Sequence, residues 1–467
     1  MPDFPMLIDG ALVAGAAELP VLNPATEQVV AVAARADAAQ IDAAVAAAKR
    51  AFPAWAARSF AERAAVITAI ADAIEAGRDE LARLLTLEQG KPIPQAQWEV
   101  AGAVGMLRYY ASVELPVEEI EDGPQRRVEI HRRPLGVVAA IVPWNFPLVM
   151  VATKIGAALI TGNTVVAKPA ATTPLTTLRL GALVRDLVPA GVLNIVADAN
   201  DLGNVLTGHP DVRKISFTGS SATGRKVMAT AADDLKRITL ELGGNDAAIV
   251  LNDVEPEKVV PALFQSAFIN SGQVCSAIKR VYVESEAYDA IVDGLAALAR
   301  DAVVGNGLEQ GVQFGPVQNR DQYRRVRALL DDARAQGTVV AGGDVPEGPG
   351  YFIPLTVVRD IEDGARLVDE EQFGPVLPVI RVQDAEDALR RANASPYGLG
   401  GSVWSSDAKR AAAIAARLDS GTAWVNKHLD YGPTVQFGGA KASGIGVEFG
   451  VEGLREFTQA HVVNIAK

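Results

Sequence analysis

From Gly136 onward short apolar strands alternate with helical segments, and this rhythm constrains the fold more than any other feature of the chain. GVVAAIV (136–142), TVVAK (164–168), LNIV (193–196) and KISFTG (214–219) are interleaved with a helix from about Leu148, another after TTP, and a third through SSATGRKVMATAA. Near-continuous apolar strands suit a sheet covered on both faces, and helix-length connections suit parallel neighbours. After RITLELGG (237–244) and AAIVL (247–251) the rhythm restarts with PEKVVPALFQSAFIN (256–270), KRVYVE (279–284), a helix from about Ala287, and VLPVIRV (376–382). The fold class is therefore α/β, with two parallel-sheet domains joined near ELGGND, where two glycines follow a strand.

The first hundred residues carry helical periodicity instead. It predicts a helix over 37–52, a long one over 59–90, and a third over 94–112. Ser59 and Glu62 have the spacing of a capping box, and Gly90 with Pro92 supplies the stop. RRVEIHRR (126–133) alternates and carries charge, which predicts an exposed strand, hairpin-paired across the turn signal EDGP (121–124).

Composition removes several classes of function. One cysteine in 467 residues forms no intrachain disulfide, and the four scattered histidines offer no ligand spacing, so no metal site is expected. The start, MPDFPMLIDG, lacks a cationic region followed by an apolar run, which predicts a cytoplasmic protein. The most apolar region is interrupted by Pro143, Asn145, Pro147 and Lys154 before reaching the ~18 apolar residues of a membrane span. It reads as buried strand, loop and helix. A net charge of -12 with no offsetting basic run argues against nucleic acid as a partner.

Against that background Cys275 stands out. A lone cysteine is more often an inert core residue than a nucleophile, but NSGQVCSA is polar, contains glycine, and joins a predicted helix to a predicted strand. Glu241 closes an apolar strand, where it is either a solvated strand end or a carboxylate with a raised pKa fit for proton transfer. FTGSSATG (217–224) sits at a strand-to-helix junction that presents amides to an anion, although it is neither GxGxxG nor a P-loop. Lys168 ends a buried strand, as either a snorkelling lysine or a ligand at a carboxyl edge. VPWNFP (142–147) holds Asn145 between prolines, as an ordinary turn or a fixed oxyanion donor. EEQFGPV (370–376) is a turn with the same two readings.

Taken together, and in this order, PWNFP, VVAKPA, FTGSSATG, LELGGND, NSGQVCSA, EEQFGPV and FGGAKASGIG resemble the aldehyde dehydrogenase superfamily over nearly the whole chain. The separations from Glu241 to Cys275 and from Asn145 to Lys168 are those of the family pattern. The resemblance implies a cofactor-binding domain (1–115 and 136–243), a catalytic domain (244–445), and a small β-ribbon oligomerisation element (116–135 and 446–467) that builds a homodimer or homotetramer.

It also implies that a small-molecule aldehyde is oxidised to the carboxylic acid by NAD or NADP, in the non-acylating manner. Cys275 would form the thiohemiacetal and thioester, Asn145 with the Cys275 amide would hold the oxyanion, and Glu241 would activate the hydrolytic water. Relatives that pass the acyl group to coenzyme A typically lack this glutamate. A catalytically retired relative would have lost one of Cys275, Glu241 and Asn145, and all three are present. Lys168 would meet the adenosine ribose, Gly219, Ser220 and Thr223 the pyrophosphate, and Leu242, Glu371 and Phe373 the nicotinamide half, with Ile141, Pro143 and Trp144 completing the cofactor site. Many NAD-using relatives carry glutamate where this chain has Ala171, so NADP is admissible too. Phe146, Met150, Thr153, Val274, Ser276 and Tyr431 would line the substrate entrance. Thr153 stands where arginine often binds a substrate carboxylate, which favours a neutral aliphatic or aromatic aldehyde.

Overall fold

Val137–Ile141, Thr164–Lys168, Leu193–Ile195, Val212–Thr218 and Arg237–Glu241 form the parallel centre of one sheet in a computed structural model that describes residues 4–467. Across the sheet they run Leu193, Thr164, Val137, Val212, Arg237, so the order reverses direction between Val137–Ile141 and Val212–Thr218. Met6–Ile8 and Ala11–Val13 extend one edge, and Gly444–Ile445 pairs antiparallel with Leu240 and Glu241 at the other.

A second, seven-stranded sheet runs Thr338–Ala341, Thr356–Arg359, Val376–Val382, Ile278–Glu284, Asp246–Val250, Gly400–Trp404, Thr422–Val425, and only its first pair is antiparallel. Successive side chains of a strand point to opposite faces. Ala247, Ile249 and Tyr282 accordingly enter one apolar core, and Ala248, Val250, Val281 and Val283 enter another on the far side. Burial on both faces is the physical reason these strands read as continuous apolar runs.

Arg126–Pro134 is the middle strand of a third sheet, between Glu118–Asp122 and the C-terminal Thr458–Ala466. The hairpin closes through Gly123 N–H donating to the Arg126 carbonyl at 3.0 Å. Arg126 with Glu121 and Arg132 with Glu118 then form cross-strand ion pairs at 2.8 and 2.9 Å. Ile120, Val462 and Ile465 remain exposed on this ribbon.

Two expectations need correction. The single helix expected over 59–90 is two, Phe60–Ala76 and Arg78–Gln89, because Gly77 serves as the end of one and the start of the next. The apolar period runs through that position, but glycine costs about 1 kcal/mol in a helix interior and gives way to a break. The second departure is the segment before residue 37, which holds four short strands, including the hairpin Ala17–Leu22 with Val29–Arg35. The capping box holds as read: Ser59 N–H donates to Glu62 Oε2 at 2.8 Å, and the Glu62 amide donates back to Ser59 Oγ.

Candidate active site

Glu241 ends the last parallel strand of the first sheet, and Asp246 begins the first strand of the second. The intervening glycines permit close approach. A Cβ on Gly243 would lie 2.5 Å from Glu371 Oε2, and one on Gly244 would lie 2.4 Å from the Cys275 carbonyl oxygen.

Cys275 follows the helix Pro256–Phe268 and a short 3-10 turn, Ile269–Gly272, in which Asn270, Ser271 and Gly272 all have positive φ. Two consecutive non-glycine residues in that region cost free energy and persist only when their surroundings fix them. Here they are fixed. Ser271 Oγ donates to the Gly315 carbonyl at 2.7 Å, Gln273 Nε2 to the Asn270 carbonyl at 2.9 Å, and Gln318 N–H to Gln273 Oε1 at 2.8 Å. Gly272 sits where a Cβ would be 2.4 Å from the Gly374 carbonyl. The connecting loop expected for Cys275 is thus a rigid one, and its thiol is half-buried.

Asn145 stands just before the helix Pro147–Ile160 and donates from Nδ2 to the Gln273 carbonyl at 2.9 Å. Its own carbonyl accepts from Lys91 Nζ at 2.8 Å and Asn270 Nδ2 at 3.1 Å. Lys91 pairs with Glu99 at 2.6 Å, both fully buried, and Glu99 Oε1 accepts the Leu148 amide at 2.9 Å. Removing one partner of such a pair strands a buried charge, at a cost of roughly 3–5 kcal/mol. Asn145 is therefore held from several sides.

The acidic groups are perturbed in one direction. Both Glu241 oxygens are buried with no hydrogen-bond partner among the described residues. Burial pushes Glu241 well above the usual carboxylate range, Glu448 adds to the rise, and Lys154 opposes it. Lys154 and Glu448 are themselves an ion pair in the interior, with Ser216 Oγ 3.0 Å from the ammonium. Asp246 is raised to about 7 by burial, against the pull of Lys279. The Cys275 thiol is pushed up to about 12, again chiefly by burial, and Lys279 is the largest opposing influence. His428 is driven down to about 3 by burial, so it is neutral, and its Nε2–H donates to the Ser276 carbonyl at 2.8 Å. The 3.7 Å between His428 and Asp246 is consequently not an ion pair.

The crevice where the first sheet reverses order is where open α/β sheets bind ligands. Ile141 ends one bordering strand and Thr218 the other. Pro143 and Trp144 follow the first, and Gly219 and Ser220 the second. The helix Ser221–Ala232 opens there, capped by Ser220 Oγ, which accepts the Thr223 amide at 3.2 Å. A Cβ on Gly219 would stand 2.6 Å from the Phe217 ring, and one on Gly224 would stand 2.5 Å from Leu242 Cδ2. Helix and strand pack at glycine distance, and Thr218 Oγ1 is left buried without a partner among the described residues. These features fit a dinucleotide phosphate. Lys168, buried, pairs with Asp198 at 2.5 Å, and both Lys168 Nζ and the Ala171 amide donate to Asn200 Oδ1, at 3.4 and 3.3 Å. Glu371 accepts the Gly244 amide at 2.9 Å, and Phe373 meets the Trp144 ring edge-on at 5.3 Å between centroids.

Apolar side chains flank the turn that carries the thiol. Phe146, Val274 and Ala277 form one cluster, with Met150, Ile269 and Leu429 against it, and Trp98 meets Phe146 edge-on at 6.4 Å. Leu399, Trp424 and Phe437 form another, touching Cys275 and Phe449. Tyr431 lies between Trp424 and Phe437 and shares a hydrogen bond with Ser276 Oγ. Thr153 is buried, its hydroxyl donating to the Val149 carbonyl at 2.8 Å.

Lys91, Glu99, Lys154, Asp246, Lys279, His428 and Glu448 complete the site and were not singled out as site residues from sequence. The available signal was a charge inside an apolar run, visible at Lys154 and Lys279. For Glu99 and Glu448 the surrounding sequence is mixed and gives none.

A thiol that follows a strained turn, in a chain whose two parallel sheets include one with a crevice at its switch point, suits an α/β enzyme. The chain belongs to the aldehyde dehydrogenase family, whose model matches residues 13–463. A probable aldehyde dehydrogenase of a Pseudomonas species is 42% identical over 467 residues, covering 99% of this chain and 94% of that one. Phenylacetaldehyde dehydrogenase of Pseudomonas fluorescens is 38% identical, covering 99% and 95%. The NAD+ complex of an aldehyde dehydrogenase from Bacillus cereus superposes with a TM-score of 0.97 at 38% identity, covering 99% of this chain and 96% of that one. The protein is an oxidoreductase that oxidises aldehydes with NAD(P). Among the described residues no helix is long and apolar enough to cross a membrane.

Proposed function

We propose that Cys275 is the nucleophile, Asn145 the oxyanion donor and Glu241 the proton acceptor in oxidation of a neutral aromatic or aliphatic aldehyde to its acid. The observation that carries this reading is Glu241: a buried carboxylate, unpartnered and raised in pKa, beside the chain's only thiol. Such a group is a stronger base than a solvated carboxylate and is not occupied by any structural bond.

The Cys275 sulfur adds to the carbonyl carbon, its proton passes to Glu241, and the oxygen charge is held by the Asn145 amide and the Cys275 N–H. The nicotinamide, when bound, supplies the hydride acceptor that this adduct needs to become a thioester. Once Glu241 has passed that proton to solvent it takes another from water, whose oxygen attacks the thioester carbon; the sulfur leaves as thiolate and the acid is released. Lys168, Gly219, Ser220, Thr223 and Leu242 would hold the cofactor, with Ile141, Pro143, Trp144, Glu371 and Phe373 around its reactive end. Ala171 leaves either NAD or NADP acceptable.

The substrate class is supported by the apolar walls around Cys275 and by Thr153, which brings no cation for a substrate carboxylate. The phenylacetaldehyde enzyme among the relatives acts on an aldehyde of this kind. The ribbon of Arg126–Pro134 and Thr458–Ala466, with its exposed Ile120, Val462 and Ile465, suits assembly into a cytoplasmic homodimer or homotetramer.

Glu241→Gln tests the assignment. A single turnover with phenylacetaldehyde should leave the acyl mass on the intact protein, and because Cys275 is the only thiol that mass locates itself. Steady-state acid production at the parent rate would refute both roles.

A further inference from the structure

Lys279 is a buried lysine at the start of the strand Ile278–Glu284, and its ammonium is spent on the main chain of the nucleophile turn. Nζ donates to the Val274 carbonyl at 2.7 Å and to the Cys275 carbonyl at 2.5 Å. In a trans peptide the C=O and the following N–H point to opposite sides, and no described peptide is cis. Drawing the Val274 carbonyl toward Lys279 therefore turns the Cys275 N–H the other way, and drawing the Cys275 carbonyl does the same for the Ser276 N–H.

The Val274 carbonyl also accepts the Ala277 amide at 3.2 Å, which closes a turn whose two central residues are Cys275 and Ser276. Among the described residues neither of those amides donates to a protein group, so both are unspent on the face away from the lysine. His428 fixes the third carbonyl, that of Ser276, from behind. Three successive carbonyls are thus drawn back, and the amides are left for a ligand.

We propose that Lys279 is a positioning residue: anchored on the Val274 and Cys275 carbonyls, it aims the Cys275 amide at the substrate oxygen and places a fixed positive charge beside the thiol. The inference rests on Cys275 being the nucleophile. The charged and titratable groups facing the thiol are Lys279, Glu241, Asp246 and Tyr431, and Lys279 is the cation among them. Asp246 and Glu371 face Lys279 in turn, while His428 is neutral.

The test uses iodoacetamide, with intact mass reading Cys275 alone. Below the thiol pKa the rate follows the thiolate fraction, offset in part by the greater nucleophilicity of a more basic sulfur. Lys279→Met should slow alkylation at every pH between about 7 and 9 by roughly three- to tenfold. It should also lower kcat about tenfold or more, with KM changed far less, because the aimed amide acts on the charge that develops during reaction. Lys279→Gln retains an N–H donor without the charge, so it should recover part of kcat while alkylation stays slow. If the methionine variant does not fold, the glutamine variant carries the alkylation test by itself.

Parent-like alkylation and kcat in a folded variant overturn the proposal. So does a loss confined to KM or to melting temperature. Cys275→Ser, assayed alongside, separates the two readings: turnover retained there removes the nucleophile itself, whereas turnover lost there with parent-like Lys279 variants removes only the role of Lys279.

Discussion

The side-chain amide of Asn145 donates to the carbonyl of Gln273 at 2.9 Å, which ties the loop leaving the first sheet to the turn that carries Cys275 on the second. One N–H of the amide is thereby used, and the other is held in a fixed direction. The Lys91–Glu99 pair fixes the same loop from below, through the Asn145 carbonyl and the Leu148 amide. A donor held this way needs no reorganisation when charge appears on a substrate oxygen. Asn145→Ala should therefore lower kcat by about 10²- to 10³-fold with little change in KM. Steady-state kinetics beside a thermal melt would check it, and a pure KM effect would make Asn145 a binding residue only.

Asp246 offers a test through stability. Its folded pKa of about 7 lies above the ordinary value of 3.8, so the native state binds the extra proton between those limits. Stability from this group is therefore unaffected below about pH 4, falls as pH rises toward 7, and stays reduced above it, by an upper estimate of about 4 kcal/mol. Asp246→Asn removes the charge and keeps the shape. It should melt several degrees above the parent at pH 8, with the gap narrowed at pH 5 and closed near pH 4. A gap that does not vary with pH would mean that Asp246 ionises in the ordinary range.

The strands that build the two sheets were legible because burial on both faces leaves mostly apolar residues, as at Val137–Ile141. Gly77 was legible only afterwards, since the helical period continues across it while the backbone does not. The cysteine, carboxylate and amide proposed for catalysis could be picked out from ordered motifs, but what holds them could not. Lys91 touches Asn145 across 54 positions of sequence, and Glu448 meets Lys154 across 294. Such partners are brought together by the tertiary fold, and neither end carries a local pattern. Ribbon pairing was half visible: RRVEIHRR showed its own alternation, but its partnership with Thr458–Ala466 is a register set by the whole chain.

On the proposed placement of the cofactor, its choice turns on the pocket where Lys168 ends its strand. The ammonium is paired with Asp198, a buried carboxylate that also accepts the Leu202 amide at 2.9 Å and so is fully committed to its own loop. Ala171 contributes only its backbone amide, to Asn200. A glutamate at 171 would add an uncommitted carboxylate beside Lys168, giving ribose hydroxyls an acceptor and a 2'-phosphate a like charge. Ala171→Glu should then lower kcat/KM for NADP relative to NAD by about tenfold or more, the factor that ~1.4 kcal/mol of discrimination produces. Measuring both cofactors with one aldehyde, for parent and variant, gives the ratio directly. An unchanged ratio would place the selective contact elsewhere, with Asn200 the next residue to vary.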